Sequence, residues 1–394
     1  MFSSIPKSPI VLTGSMAARS TGAPAGRQRR KPGEERLASK VNDNGRGGSE
    51  KLKALEERMA GYNLRGQWAL EANRPQRVGK NKQNQVFIEP SSSGVGHVWQ
   101  WDRMVPFLNE SLDALTDSYT ARRTLIMSNP ALPRGTTHTL LASVQIIGPG
   151  EMAWAHRHTI NALRFVIQGG PDVYTVVDGV PLAMEPYDLI LTPGWMWHDH
   201  HNQSAKPAMW LDGLDVPFTL ALNQNFYEEL GEAAQEPRRG PAPSPLLRPA
   251  GTAGERQGPF RYPWKETRPR LEALAAEGAV HSHDGVALDY VNPATGGPTL
   301  PTLTCRIHWL PPGFEGRWHR RTTSSVLFAV EGEGRAIVED KELDWARHDT
   351  VAVPNWSWIK LINRSRTAPA ILFSMSDAPI LKTFGLYREE SETD

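Results

Sequence analysis

The sequence predicts an all-β protein built from two related barrels, with only a few short helices. Composition is the first observation: the 394 residues include 32 prolines, 34 glycines and 13 tryptophans, which is typical of many short strands joined by turns. The second is a series of short apolar runs, separated by Gly, Pro and Asp, that begins near Thr136. The third is an internal repeat. A chain of this length has room for two or three domains that each bury a sizeable core.

The internal repeat relates two strand-rich stretches of the chain. At one offset of 161 positions, five residues of the first stretch recur in the second: Asp188, Pro193, Trp195, Trp197 and Asn202 match Asp349, Pro354, Trp356, Trp358 and Asn363. At an offset of 163, three upstream residues recur: His156, Phe165 and Gly169 match His319, Phe328 and Gly332. Because five matches share one register and two of them are tryptophans, chance does not explain the pattern. The chain therefore predicts a duplicated β domain, with a two-residue difference in loop length inside each copy.

Changes in composition divide the chain into five segments. Residues 1–50 hold nine Lys or Arg and four Asp or Glu among many Ser, Gly and Pro, which predicts a disordered tail. An organellar transit peptide is the alternative, since such peptides are rich in Arg and Ser and poor in acidic residues. The other segments are a helical N-terminal arm at 51–135, a first barrel at 136–230, a linker with a short helix at 231–285 and a second barrel at 286–385. Short helical stretches are expected at Lys51–Met59, Trp99–Leu115, Phe218–Leu230 and Pro269–Glu277.

Charge and cysteine content exclude several classes of protein. The chain has 44 Lys and Arg against 43 Asp and Glu, so electrostatic binding of nucleic acid is not expected to be its main role. Its one cysteine, Cys305, excludes an internal disulfide framework and a multi-cysteine zinc site, and fits a reducing compartment. No apolar run reaches the length of about 18 residues that a membrane span needs. We therefore expect a cytoplasmic protein that binds neither nucleic acid nor membrane.

Histidines cluster in the first copy of the repeat. His156 and His158 lie two positions apart, so on a strand both imidazoles point to the same face. Forty residues on, the string WHDHH supplies His198. If His198 lies on a neighbouring strand, three imidazoles converge inside the barrel and leave positions open on a divalent metal, as a catalytic site requires. A second H-x-H pattern, at 281–283, has no third partner in the repeat and is interpreted as structural.

The residues around these histidines resemble the two cupin motifs. Gly150, separated by five residues from His156-x-His158, and Gly169 after it resemble the first motif, and a P-x4-H-x3-N pattern around His198 resembles the second. The resemblance implies a bicupin, that is, two double-stranded β-helix (jelly-roll) barrels whose inward side chains hold a metal. The usual glutamate ligand is absent from this sequence. The expected ligands are therefore three histidines and no carboxylate.

Longer strings narrow the resemblance. These strings are HRHTINALRFVIQGG, PGWMWHDHHN, MWLDGLD and, downstream, VNPATGG, and together they resemble the gentisate 1,2-dioxygenase family, which includes salicylate and 1-hydroxy-2-naphthoate dioxygenases. The similarity covers roughly residues 60–385. It implies an enzyme, usually a homotetramer, that binds one Fe(II) per chain in the first barrel. With O2, such an enzyme cleaves the ring of an aromatic ortho-hydroxy carboxylate between the carboxyl-bearing and hydroxyl-bearing carbons. Gentisate is the first substrate to expect; a substituted salicylate or 1-hydroxy-2-naphthoate is the alternative.

The resemblance also implies roles for individual residues. The metal ligands are His156, His158 and His198. Arg164 corresponds to an arginine that contacts the substrate carboxylate, and its planar fork suits that bidentate role. His200 corresponds to a histidine near the substrate hydroxyl, as acid, base or orienting group.

Five further positions match the pocket of the family. Asp212 corresponds to an aspartate near the pocket, although an aspartate that forms a turn beside a glycine is the simpler alternative. Gln145 also matches a pocket position. Arg122 and Arg123 match a paired-arginine segment that binds carboxylates, and which of the two points inward is left open. Leu141 stands where the family commonly has Tyr or Trp, so we expect a substrate with a different substituent from gentisate or with a fused ring.

The second copy lacks the ligand set. It keeps His319, but Arg321 replaces the second histidine and Ile359 the third. Arginine stays protonated and isoleucine has no donor atom, so neither can bind a metal. The position of Arg164 also becomes Leu327. We expect the second barrel to be metal-free and structural.

Two other functions are compatible with three histidine ligands. One is a bicupin that binds a metal or ligand without catalysis, and the other is a zinc hydrolase or hydratase, since imidazole suits zinc as well as iron. The presence of Arg164 and His200 beside the ligands of one copy, and their loss from the other, favours the dioxygenase.

Overall fold

A computed structural model of the chain describes residues 46–66, 76–80, 86–115, 123–236 and 260–392. Its helices are α1 (Arg46–Ala60), α2 (Trp101–Ala114), α3 (Val216–Ala221), α4 (Trp264–Ala276) and α5 (Ala378–Thr383). The strands before the linker are β1 (Gln76–Lys80), β2 (Val86–Pro90), β3 (His97–Trp99), β4 (Arg123–Ile126), β5 (Leu141–Ile147), β6 (Met152–His158), β7 (Ala162–Gln168), β8 (Gly170–Val177), β9 (Val180–Met184), β10 (Leu189–Thr192), β11 (His198–Asn202), β12 (Ala208–Leu214) and β13 (Tyr227–Glu229). Those after it are β14 (Arg261–Tyr262), β15 (Val286–Asp289), β16 (Thr304–Leu310), β17 (His319–Arg321), β18 (Ser325–Glu331), β19 (Gly334–Val338), β20 (Lys341–Trp345), β21 (Thr350–Val353), β22 (Ile359–Asn363), β23 (Ala370–Ser376) and β24 (Glu389–Ser391). Of the helices in these described ranges, none combines the length and the hydropathy that a bilayer span needs.

The chain divides into two units, Met1–Pro75 and Gln76–Asp394. In the first unit, α1 begins at Arg46, earlier than the predicted start at Lys51. The rest of the predicted tail lies outside the described residues. In the second unit, the predicted helix Phe218–Leu230 is wrong in its second half, because α3 ends at Ala221 and the strand β13 follows.

Two antiparallel sheets form each barrel, so the prediction of an all-β fold with two jelly-roll barrels is confirmed. The first barrel has the strand orders β14-β10-β7-β12-β5-β4 and β13-β6-β11-β8-β9. The second has β15-β16-β23-β18-β21-β3 and β20-β19-β22-β17-β24. Strands β1 and β2 pair only with each other among the described residues.

The large sheets of the two barrels share one hydrophobic core. On β5, Val144 and Ile146 point into this core, where Phe165 of the first barrel meets Phe328 and Phe373 of the second. The rings of Phe165 and Phe373 stack with centroids 4.2 Å apart. The alternate residues of the same strands line the interior of the first barrel. Burial on both faces explains why β5 and β7 have almost no polar residues outside the site positions.

Each copy contributes one strand to the sheet of the other barrel. β3 precedes the first barrel in sequence but pairs with β21 of the second, and β14 precedes the second barrel but pairs with β10 of the first. The helix after each of these strands is capped by the barrel that receives the strand. Asp349 accepts a hydrogen bond from the main-chain N–H of Trp101 at 2.7 Å, and Asp188 accepts one from Trp264 at 2.7 Å. The repeated aspartates are thus helix caps, and the segment predicted as a linker contributes a strand to the first barrel.

Candidate active site

Three histidines meet inside the first barrel. His156 and His158 lie on β6, and His198 begins β11 directly opposite His156 in the antiparallel register. One potential ligand nitrogen from each ring lies within 4.8 Å of the others. The centroid of the His198 ring is 4.2 Å from that of His156 and 4.8 Å from that of His158. Among the residues that the structure describes, this is the one group of three or more His, Cys, Asp or Glu side chains with metal-binding geometry.

Main-chain carbonyls set the tautomer of all three rings. Nδ1 of His156 lies 2.8 Å from the carbonyl oxygen of Trp154, Nδ1 of His158 lies 2.9 Å from that of Ile160, and Nδ1 of His198 lies 3.0 Å from that of Met196. A carbonyl oxygen can only accept, so each Nδ1 must carry the proton. In the neutral form of each ring, Nε2 then presents a lone pair, as a metal ligand does.

The environment of Nε2 of His198 shows that the site suits a metal ion. His198 is 1 % exposed, and within the described part of the chain its Nε2 has no hydrogen-bond partner. A buried acceptor without a partner costs about 1–3 kcal/mol, and a divalent cation between the three rings would offset that cost. Burial, and then the neighbouring groups His156, His158, Arg164 and His200, lower the pKa of His198 well below its usual value. The ring is therefore neutral, which is the form that binds metals.

Arg164 is a buried cation on the interior face of the same barrel. It is 4 % exposed and lies on β7 opposite Asp212 of β12, with 3.6 Å between its Nε and Oδ1 of the carboxylate. Its Nη1 donates to the hydroxyl of Thr192. Nε makes no hydrogen bond to any described residue. A buried guanidinium with a spare N–H donor can bind an anionic oxygen that enters the barrel.

Asp212 accepts one hydrogen bond and lies beside a buried cation. The indole N–H of Trp210 donates to Oδ1 of Asp212 at 3.0 Å, and Arg164 lies beside the same oxygen. Burial raises the pKa of Asp212 to about 6, although Arg164 and the Trp210 N–H oppose that rise. Burial likewise lowers the pKa of Arg164, against the attraction of Asp212. The carboxylate therefore lies where it can orient Arg164, rather than in a simple turn.

His200 is buried two positions after the third ligand. Its ring centroid is 6.0 Å from that of His198 and 5.0 Å from that of Trp210. His201 points to the other face, where its ring stacks on Tyr174 and its Nε2 lies 2.6 Å from Asp199. The histidine string thus supplies one imidazole to the metal group and a second beside it.

Gln145 and Leu141 lie on the interior face of β5. In the register with β12, Gln145 faces Trp210 and Leu141 faces Leu214, so they share the face of Asp212. Ser143, between them on that face, lies directly opposite Asp212. We did not predict Ser143, Thr192 or Trp210, although the period of two along β5 and β12 was sufficient to find the first and the last.

The two arginines of the predicted paired segment do not both reach this site. Arg123 lies on β4 opposite Ile146, which points away from the barrel interior. Its Nη1 pairs with Glu151 at 2.6 Å and its Nη2 donates to the carbonyl of Leu115 at 2.6 Å. Of the two arginines between which the sequence left the choice open, Arg123 joins the end of α2 to the barrel. Arg122 lies outside the described residues.

The equivalent place in the second barrel holds an ion pair. His319 lies opposite Ile359, as His156 lies opposite His198. Arg321, at the position of the second ligand, forms two hydrogen bonds with Asp284, at 2.9 and 3.2 Å. Burial alone would raise the pKa of Asp284, but Arg321 and neighbouring cationic groups hold it below its usual range.

The second H-x-H pattern contributes to this barrel. The ring of His283 lies 4.5 Å from that of His319, and its Nε2 is 2.8 Å from the hydroxyl of Ser391. A cavity of about 550 Å³ opens beside these residues. The arginines that line it, Arg306 and Arg321, both pair with Asp284. His283, for which the sequence indicated a structural role, thus packs beside His319, and the next residue, Asp284, forms the ion pairs.

Comparison with known proteins agrees with this geometry. Residues 143–214 match the family model described as a cupin domain. The chain is 41 % identical over 350 residues to 1-hydroxy-2-naphthoate 1,2-dioxygenase of Nocardioides sp. strain KP7, covering 86 % of this chain and 88 % of the relative. It is 36 % identical over 350 residues to 5-aminosalicylate 1,2-dioxygenase of Comamonas sp., covering 86 % and 90 %.

Solved structures show the same similarity. The crystal structure of salicylate 1,2-dioxygenase from Pseudoaminobacter salicylatoxidans with gentisate superimposes with a TM-score of 0.72 at 31 % identity. The match covers 87 % of this chain and 94 % of the solved chain. The similarity therefore extends over both barrels.

Proposed function

Since the chain belongs to the gentisate 1,2-dioxygenase family of ring-cleaving dioxygenases, we propose that it binds one Fe(II) through His156, His158 and His198. The reaction is cleavage, with O2, of an aromatic ortho-hydroxy carboxylate between the carboxyl-bearing and hydroxyl-bearing carbons. The observation that carries the proposal is the set of three imidazoles whose Nδ1 atoms are all committed to carbonyls.

An all-histidine ligand set suits an anionic substrate. Three neutral imidazoles leave the full charge of a divalent cation in a barrel where charges interact strongly. A carboxylate and a phenolate oxygen together balance that charge, which favours a substrate that carries both on adjacent carbons. Iron would supply the redox chemistry that reaction with O2 requires.

Arg164 binds the carboxylate of the substrate in this proposal. Thr192 fixes one arm of the guanidinium and Asp212 lies beside Nε, so the remaining N–H donors point in fixed directions. The buried ion pair also prevents an uncompensated positive charge in the empty barrel. Asp212 accordingly acts through Arg164, as a positioning residue.

His200 serves the substrate hydroxyl. Its buried ring lies between His198 and Trp210, beside the place where a ring held by Arg164 and the three histidines would lie. An imidazole there can accept the phenolic proton and keep the oxygen ionised. Gln145 supplies a further polar contact from β5.

The preferred ring is a fused one such as 1-hydroxy-2-naphthoate. Leu141 replaces an aromatic side chain at a position that faces the barrel interior, and its neighbour on that face is the small Ser143. The aliphatic side chain and its small neighbour leave space for a second ring. The 41 % identical relative is named for that substrate, which also supports the choice over gentisate.

We further propose a homotetramer in the cytoplasm. The family resemblance supports the assembly, and Cys305, which is buried and unpaired, supports a reducing compartment. Light scattering after size-exclusion chromatography tests the assembly, and a monomeric or dimeric mass contradicts it.

O2 consumption by the reconstituted protein tests the function. The protein is loaded anaerobically with Fe(II) or, as a control, with Zn(II), and mixed with gentisate, salicylate, 5-aminosalicylate and 1-hydroxy-2-naphthoate. We expect O2 uptake and ring-opened product with Fe(II) only, fastest with the fused ring. O2 uptake that is absent with all four substrates would contradict the dioxygenase reaction and favour a binding protein.

Two matched variants test the metal site. His198→Ala should remove bound iron and turnover, because it deletes one of the three ligands. His319→Ala should leave iron content unchanged, because its barrel has no other ligand at the corresponding positions. Equal iron loss in both variants would mean that the proposed site is misplaced.

A further inference from the structure

We infer that Arg157 is a positioning residue for the metal site, through a cation clamp made of Arg157, Trp195, Trp197 and Glu228. Arg157 lies between two of the proposed ligands, and Trp197 immediately precedes the third. The clamp therefore joins the two segments that must be held together for three imidazoles to meet. The inference rests on the proposed metal site.

The clamp lies on the outer face of the ligand-bearing strand. Because neighbours on a strand point to opposite faces, Arg157 points away from the barrel interior. Its guanidinium carbon is 4.4 Å from the ring centroid of Trp195 and 4.4 Å from that of Trp197. Nε and Nη2 both donate to Oε2 of Glu228, at 2.8 and 2.5 Å. Glu228 lies directly opposite Arg157 in the pairing of β13 with β6.

Hydrogen bonds connect the clamp to the ligands. The main-chain N–H of Trp195 donates to the carbonyl of His158 at 2.6 Å. The next residue, Met196, provides the carbonyl that fixes Nδ1 of His198. Movement of either indole ring therefore shifts the loop that orients the third ligand. Trp195 also has a φ of +65°, a conformation that non-glycine residues rarely adopt, so the loop depends on these contacts.

The second barrel contains the same clamp without the ligands. Arg320 lies 4.2 Å from the ring centroid of Trp356 and 4.8 Å from that of Trp358, and its Nε and Nη2 donate to Glu390 at 2.9 and 2.6 Å. Its Nη2 also lies 2.9 Å from Glu89. The repeated W-x-W string of the sequence is thus a stacking site for an arginine in both copies. Because the second barrel lacks the three-histidine set, removal of its clamp measures the contribution of the clamp to stability without an effect on metal ligands.

The duplication provides a matched control for the experiment. Arg157→Ala and Arg320→Ala are compared by thermal unfolding of the metal-free proteins and by Co(II) titration against a competing chelator, together with the Co(II) absorption spectrum. Both variants should have a lower Tm without metal. Only Arg157→Ala should weaken Co(II) binding, by about 10- to 100-fold, and change the spectrum. Arg157→Lys should restore part of the affinity, since it keeps the charge but not the planar fork.

A milder pair of variants keeps the test informative if Arg157→Ala does not fold. Glu228→Gln weakens the hydrogen bonds to Arg157 but keeps the guanidinium between the two indole rings. Glu390→Gln is its counterpart in the second barrel. Wild-type Co(II) affinity and spectrum in Arg157→Ala or Glu228→Gln would overturn the inference, as would equal losses in the second-barrel variants. If the wild-type protein binds no Co(II) or Fe(II), the proposed metal site itself fails, and the role of the clamp fails with it.

Discussion

Replacement of Arg164 by lysine should lower kcat/KM for a hydroxy acid without changing the metal content. Lysine keeps a positive charge near Asp212, but it loses the planar fork that allows one side chain to contact Thr192 and a carboxylate together. The loss of one hydrogen bond to a charged group costs about 1.5–3 kcal/mol. That range corresponds to a decrease in kcat/KM of roughly 10- to 150-fold.

Steady-state O2 consumption measures the effect, and two controls isolate the carboxylate. Inhibition by a benzoate analogue of the substrate should weaken in Arg164→Lys, whereas inhibition by the corresponding phenol should not. Thr192→Val keeps the guanidinium but removes its support, so its loss in kcat/KM should be smaller than that of Arg164→Lys. An unchanged kcat/KM in Arg164→Lys, or equal weakening of both inhibitors, would refute the assignment of Arg164 to the carboxylate.

Two further predictions concern specificity and stability. Leu141→Trp fills space on the interior face of β5, so kcat/KM for 1-hydroxy-2-naphthoate should fall about 10-fold or more relative to that for a single-ring substrate; an unchanged ratio in a substrate competition assay would contradict the assigned position. Burial raises the pKa of Asp377 from 3.8 to about 6, although Thr139 and the N–H of Ser324 donate to it. A raised carboxyl pKa stabilises the folded state below pH 4, and this stabilisation is lost as the pH rises through 6, by at most about 3 kcal/mol. Asp377→Asn stays neutral, so its free energy of unfolding should lack this decrease; identical pH profiles for the variant and the wild type would show that the carboxyl does not titrate there.

The sequence was sufficient to predict the parts of the site that depend on local spacing. His156 and His158 share a face because the strand period is two, and the repeat placed His198 at a fixed distance from turn residues that recur in both copies. Arg123 illustrates the limit of that reasoning. Its direction depends on the register of β4 with β5, and no local pattern sets that register. His283 approaches His319 for a similar reason, through contacts between segments that are distant in sequence.

The exchange of strands β3 and β14 between the barrels could not be predicted from either copy alone. β3 pairs with a strand some 250 residues later in the chain, and periodicity carries no information on such distant partners. The capping aspartates were visible as part of the repeat, yet their role depends on helices supplied by the opposite copy. Sequence comparison within the chain therefore found the equivalent residues but not their contacts.

The two barrels differ in the charged groups at the equivalent interior positions. In the first, three imidazoles and the buried Arg164 leave the interior able to accept a cation and then an anionic substrate. In the second, Arg321 brings its own positive charge to the position of a ligand, and Asp284 neutralises it through two hydrogen bonds. Asp284 is buried and Arg321 is only partly exposed, so removal of one partner leaves a charge without its counter-ion and should destabilise the barrel. The second barrel thus holds the Arg321–Asp284 pair where the first has a proposed metal ligand, while the clamp around Arg320 is present in the second barrel as well.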